Sequence, residues 1–138
     1  MGTNSQTPRI RSHRDLQVYR AAFDAAMEIF RLSKGFPSEE RYSLTSQIRR
    51  SSRSVAASVV EAWRKRRYEA AFISKLSDAE TEAAETQVWL EFGVKCGYLD
   101  RAVAADLYLR YERLVRTLIG MIRHANQWLI RPSPPSRP

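Results

Sequence analysis

"YSLTSQIRRSSRSVAASVVEAWRKRRYEAAF", residues 42–72, contains neither Gly nor Pro. Within it Leu44, Ile48, Ser51, Val55, Val59 and Ala62 recur at steps of three and four, the spacing that puts side chains on one face of an α-helix. The stretch predicts a helix from about Glu39 to Lys65. Its apolar stripe is small in the middle, which permits close approach of a neighbouring helix. Counted from Arg41, it also carries eight basic residues against two acids, Glu61 and Glu69.

Working outward, the same periodicity appears three more times. Upstream, Leu16, Tyr19, Phe23, Ala26 and Phe30, followed by Ser33, mark a first helix from about Asp15 to Lys34. Asp15 is its expected N-cap, and Gly35 and Pro37 end it. A second apolar line, Val18, Ala22, Ala25, Ile29 and Leu32, runs beside this expected core line. Downstream, Phe72, Leu76, Ala79, Ala83, Gln87, Leu90 and Val94 line a helix from about Tyr68 to Lys95. "CGYLD" (96–100) interrupts it at Gly97, and Asp100 caps a last helix with the stripe Val103, Leu107, Tyr111, Leu114, Leu118, Met121, Ala125 and Leu129. Connections of a few residues cannot cross the length of a bundle, so sequence neighbours must run antiparallel. The expected fold is all-α, an antiparallel up-down-up-down four-helix bundle over residues 15–130. Residues 1–14 are expected to form a mobile basic segment and residues 131–138 a disordered Pro-rich tail, because neither holds enough apolar content to offset ordering.

At 138 residues the chain has the size of one domain. The single cysteine, Cys96, allows no intrachain disulfide, and no leader-like apolar run opens the sequence, so a reducing, cytoplasmic setting is expected. Charges interrupt every apolar run well short of a membrane span, so no membrane partner is expected. The net charge of +8 is unevenly spread: residues 1–67 hold 14 Lys/Arg against 6 Asp/Glu, and residues 68–138 hold 9 of each. A surplus confined to one half points to a polyanionic partner.

On a helical wheel at about 100° per residue, Arg49, Arg53, Val60, Arg64 and Arg67 fall within about 60° of one another, with Arg50 alongside. Only Glu61 is interspersed, so these cations lack the i, i+4 acids of an ordinary solvated face. Two readings follow. In the first, Arg49, Arg50, Arg53, Arg64, Lys65, Arg66 and Arg67 meet the phosphates of RNA or DNA. Tyr68 and Trp63 then offer rings to unpaired bases. In the second, Asp78, Glu82, Glu85 and Trp89 on the third helix meet Arg53 and Val60 of a neighbouring copy, in a structural scaffold that binds no nucleic acid. A division of labour combines them, with mid-helix Arg49 and Arg53 structural and the helix-end run 64–67 facing phosphate. The second apolar lines of the first two helices, Ala56, Ala57 and Val60 in the second, favour self-association through their outer faces.

Catalysis is not expected. His13, His124 and Cys96 form no acid–base or nucleophile arrangement, and the sequence lacks a phosphate-binding glycine loop and zinc-ligand spacing. No cofactor and no metal is called for.

Asp15-Leu16, Phe36-Pro37, Arg41-Tyr42, Leu44-Thr45, Gln47-Ile48-Arg49-Arg50, Glu85-Thr86-Gln87 and Gly97-Tyr98-Leu99 together resemble the four-helix-bundle family encoded in intervening sequences of bacterial large-subunit ribosomal RNA genes. The similarity spans about residues 15 to 123. The wider group is similar to the accessory protein of diversity-generating retroelements, a pentameric ring that binds nucleic acid and a reverse transcriptase. The resemblance therefore implies a homo-oligomer, a pentamer by analogy, with a nucleic acid and a reverse transcriptase or other protein as partners. The chain departs from the family pattern in its second helix, where Ala56, Ser58 and Ala62 replace a Pro, an Asn and a Gly. That helix should be straight and continuous.

Overall fold

In the computed structural model, which describes residues 9–131, the helices are α1 (Gln17–Ser33), α2 (Leu44–Arg64), α3 (Glu69–Lys95) and α4 (Arg101–Arg123). Short 3-10 turns at His13–Asp15, Ser38–Glu40 and Ala125–Gln127 flank them. Of the expected terminal segments 1–14 and 131–138, residues 1–8 and 132–138 lie outside the described residues.

Cross-helix pairs fix the directions. Arg49 of α2 reaches Ser33 at the end of α1, while Arg53, one turn on, lies over Phe30, nearly one turn back. Ser51 pairs with Thr86 and, further along α2, Glu61 pairs with Lys75. Gln87 of α3 bonds Glu112 and the Tyr108 carbonyl of α4, whereas Gly93 packs against Leu99 just before α4. In each pair one helix number rises as the other falls, so sequential helices are antiparallel. Further packing of α1 on α4 closes the four-helix bundle.

The core follows from the stripes. Leu44, Ile48, Ser51, Val55, Val59 and Ala62 of α2 are all buried, as are Phe72, Leu76, Ala79, Ala83, Gln87 and Leu90 of α3 and Leu107, Tyr111, Leu114, Leu118 and Met121 of α4. Small residues at Ser51, Ala62, Ala79 and Ala83 bring α2 and α3 close. Ser51 Oγ and Thr86 Oγ1, both fully buried, satisfy one another at 2.8 Å, which avoids the cost of an unpaired hydroxyl in the interior. Among the described residues the Tyr111 hydroxyl finds no partner with hydrogen-bond geometry. Its burial pushes the phenol pKa up.

Several local expectations are corrected. In α1 the core line is Val18, Ala22, Ala25, Ala26 and Ile29, and the line expected to be core leaves Phe23 exposed and Tyr19 and Phe30 half-buried. The alanines let α1 settle deeply between α2 and α4, where the aromatic line would hold it away. Asp15 does not cap α1; its carboxylate accepts the Arg11 and Ser12 amides and, with Ser12, closes the 3-10 turn before Leu16. Residues 12–14, within the segment 1–14, form part of this turn. Helix α2 starts at Leu44 and not near Glu39, because Glu40 spends its carboxylate on the α2 start. It accepts from Ser43 Oγ at 2.8 Å and the Leu44 amide at 3.2 Å. From Leu44 onward α2 is uninterrupted, as its lack of Gly and Pro implies. In α4 Val103 is exposed and Ala104 takes the inner position. Asp100 caps α4 as expected, accepting from the Ala102 and Val103 amides. Gly97 adopts φ +80°, a conformation that costs other residues strain, while Tyr98 and Leu99 return their amides to the Gly93 carbonyl.

Glu40 ties the α1–α2 loop to the α3–α4 loop, since Tyr98 Oη donates to its Oε2 at 3.0 Å. The Ser43 hydroxyl, then the Leu44 amide and Tyr98, hold the Glu40 carboxyl below its ordinary value, and the same contact with Glu40 pushes Tyr98 up to about 12. A depressed carboxylate adds stability above its unfolded pKa and loses it as pH falls through the folded value. Thermal midpoints measured from about pH 6 down to about pH 3 should therefore fall less steeply for Glu40→Gln than for the parent. Parallel acid limbs would remove Glu40 from the account.

Candidate nucleic-acid interface

The Arg stripe of α2 does not act as a unit. Arg49 is half-buried, donating from Nε to Ser33 Oγ at 2.7 Å with its guanidinium 4.8 Å from the Phe30 ring centroid. Arg53 is exposed but leans over the same ring at 5.6 Å. The misplaced aromatic line of α1 thus serves as a platform for two α2 cations, an arrangement that uses ring and guanidinium faces together. Arg50 reaches Glu82 at 3.3 Å and Glu85 at 3.4 Å on α3 of its own chain. Lys75 takes Glu61 and Asp78. The acidic flank considered for a neighbouring copy is therefore answered within the chain. These exposed pairs set side-chain positions more than they add stability. Val60 and Trp89 are half-buried in their own bundle, and the Trp89 indole N–H has no hydrogen-bond partner among the described residues.

The helix-end run differs. Arg64, Lys65 and Arg67 are exposed and form no ion pair among the described residues. Arg66 is spent locally: its guanidinium lies 3.4 Å over the ring of buried Trp63 and its Nε donates to the Trp63 carbonyl at 2.8 Å. Burial and then repulsion from Arg64 draw its pKa down. Trp63 is thereby covered, leaving Tyr68, 66% exposed at the start of α3, as the ring that solvent reaches beside this turn.

The antiparallel topology adds cations that the linear sequence does not associate with this turn. The N-terminal 3-10 turn packs against α2 as well as α1, and the last 3-10 turn packs against α3. Ile130 donates its amide to the Arg66 carbonyl at 3.0 Å. Both ends of the described chain therefore meet the α2–α3 turn at one pole, bringing exposed Arg11, Arg14, Arg123 and Arg131 to the end that carries 64–67. The acids of this pole are Asp15, held by backbone amides, Glu61, paired with Lys75, and Glu69. At the opposite pole Lys34, Arg41, Lys95 and Arg101 alternate with Glu39, Glu40, Glu91 and Asp100, and charge is balanced.

A second cationic feature is a groove of ≈ 630 Å³ on α2 lined by Arg41, Arg49, Arg50 and Arg53 beside Tyr42. Tyr42 is 85% exposed with Arg41 over its ring. The periodicity argument passed over Tyr42 because it lies off the apolar stripe, which begins at Leu44. The residues weighed for catalysis lie apart: the His13 ring packs on Tyr19, Cys96 is exposed at the end of α3, and His124 follows α4. Among the described residues, no helix is long and apolar enough to cross a membrane.

Comparison with known proteins gives a consistent picture. A family profile described as 23S rRNA-intervening sequence protein matches residues 14–120. The crystal structure of a protein of unknown function from the S23 ribosomal protein family of Bacteroides thetaiotaomicron is 30% identical, with a TM-score of 0.69 over 77% of this chain and 95% of that one. No curated protein matches the sequence.

Proposed function

Because this chain belongs to the 23S rRNA-intervening sequence protein family, we propose that it is a homo-oligomeric, non-enzymatic protein that binds RNA or DNA or acts as an adaptor, meeting phosphate at its cationic pole. The observation that carries this reading is the gathering of Arg64, Lys65 and Arg67 with Arg11, Arg14, Arg123 and Arg131 around one end of the bundle. Arg and Lys held at a helix terminus remain accessible when bundles pack side by side, and such cations give affinity without base readout. Tyr68 provides a face on which an unpaired base can stack, which favours single strands. A scaffold held by intersubunit pairs of the Arg stripe is the weaker reading, since Arg50 and Lys75 already engage the acids it would need.

The test is a salt titration of binding to a labelled single strand of mixed sequence, with oligomer mass recorded in parallel. Three phosphate contacts at the turn predict a log–log slope of about −2 to −3, and contacts from the other pole cations steepen it. Failure to bind either RNA or DNA, or binding indifferent to salt, would reject the proposal.

A further inference from the structure

Among the described residues, the exposed large apolar side chains on helices, Val103 apart, fall in two patches. One is a ridge on α1, formed by Phe23 and Met27 with half-buried Tyr19 alongside. The other is a groove of ≈ 710 Å³ between α3 and α4. Leu90 and Ala104 form its buried floor, and Val88, Phe92, Tyr108 and Leu109 stand exposed around it. Contiguous exposed apolar surface of this kind marks an interaction site.

One patch is a helix crest and the other a furrow between two helices, and they lie on opposite sides of the bundle. Phe30, on the same side of α1 as Phe23, lies against Arg49 and Arg53 of α2, so the ridge belongs to the α1/α2 face. Since α1 packs on α2 and α4, and α3 on α2 and α4, the α3/α4 face is the far one. A helix crest with large apolar side chains at i and i+4 is what a furrow between two antiparallel helices accepts. Groove against groove would leave a void, and ridge against ridge would leave both furrows empty.

We infer that the α3/α4 groove receives the α1 ridge of a second copy of this chain. The inference rests on the self-association in the proposed function and names the surfaces that produce it. Different patches meet, so the contact is heterologous, and each copy offers one of each. Assembly then continues from copy to copy until the rotation closes it.

Such a contact has a diagnostic behaviour. A ridge variant, Phe23→Glu with Met27→Glu, and a groove variant, Phe92→Glu with Leu109→Glu, replace exposed side chains, so far-UV circular dichroism should match the parent. Each alone should run in analytical ultracentrifugation as a single 15.9 kDa chain. Mixed, they retain one intact ridge and one intact groove between them and should form a species of two chains and nothing larger. If the parent assembles while either variant keeps its mass, or if the mixture remains monomeric above the parent's assembly concentration, the ridge–groove contact is wrong and self-association stands on other surfaces. If the parent itself is monomeric throughout, the self-association reading fails, and this inference with it.

Discussion

Replacing Arg64, Lys65 and Arg67 together by Ala, with Arg66 kept, should weaken binding to a single strand about 100-fold at about 0.15 M salt and make the log–log salt slope shallower by about 2 to 3. Each phosphate neutralised on a single strand releases about 0.7 of a condensed counterion, and about 0.9 on duplex DNA, so three contacts account for both figures. The loss should be nearly the same for every sequence, since phosphate contacts carry no base information. Keeping Arg66 matters because it covers Trp63, and its removal would mix a packing defect with a charge defect. The three replaced side chains lie in solvent, so the thermal midpoint should stay close to that of the parent. A variant that binds within about threefold of the parent would move the site away from the turn, to the Arg41–Arg53 groove or the pole's remaining cations.

Phe72→Ala should cost about 3 to 5 kcal/mol in a urea unfolding titration, the range for emptying a fully buried aromatic site. Phe72 is 0% exposed and lies in the first turn of α3, its amide bonded to the Tyr68 carbonyl. It anchors the segment that returns the chain from the cationic turn into the bundle. Around it, helix backbones already held close by small residues have little freedom to collapse into the cavity. A cost below about 1 kcal/mol would mean that the start of α3 is loosely packed and that the turn is not rigidly presented.

The helices were legible in the sequence where one apolar line dominated. In α2 and α3 one stripe of mostly small and aliphatic residues was longer than any other apolar line, and the buried faces follow it. In α1 two complete lines ran side by side, and periodicity announces a helix without choosing between them. The choice depended on Ala22 and Ala25, whose small size allows a closeness that only the neighbouring helices define. The start of α2 was misread because Glu39 and Glu40 suit a helix N-terminus, whereas Glu40 acts from outside the helix through its side chain.

The site was legible as charge but not as roles. Arg49, Arg53 and Arg64 share a stripe on the wheel, yet two of them lie over Phe30, a residue far upstream, and one does not. Arg50 is separated from Glu82 and Glu85 by more than thirty residues. The pairing follows from the α2–α3 register, which Ser51 and Thr86 hold at the centre of the core. Arg11, Arg14, Arg123 and Arg131 joined the candidate surface only once the antiparallel topology placed both chain ends at the α2–α3 turn.

That convergence gives the molecule an electrical polarity along its long axis. One end carries most of the excess positive charge and the other is balanced, so the field of an approaching polyanion exerts a torque as well as an attraction. The charged end turns toward the polyanion before contact, which raises the encounter rate most at low ionic strength. Rotation about a common axis preserves each copy's component along that axis. Copies joined side to side in a closed cycle therefore point their charged ends toward the same rim, and their axial dipoles add. Such an assembly has two unlike surfaces, one that gathers polyanion and one left for contacts of another kind.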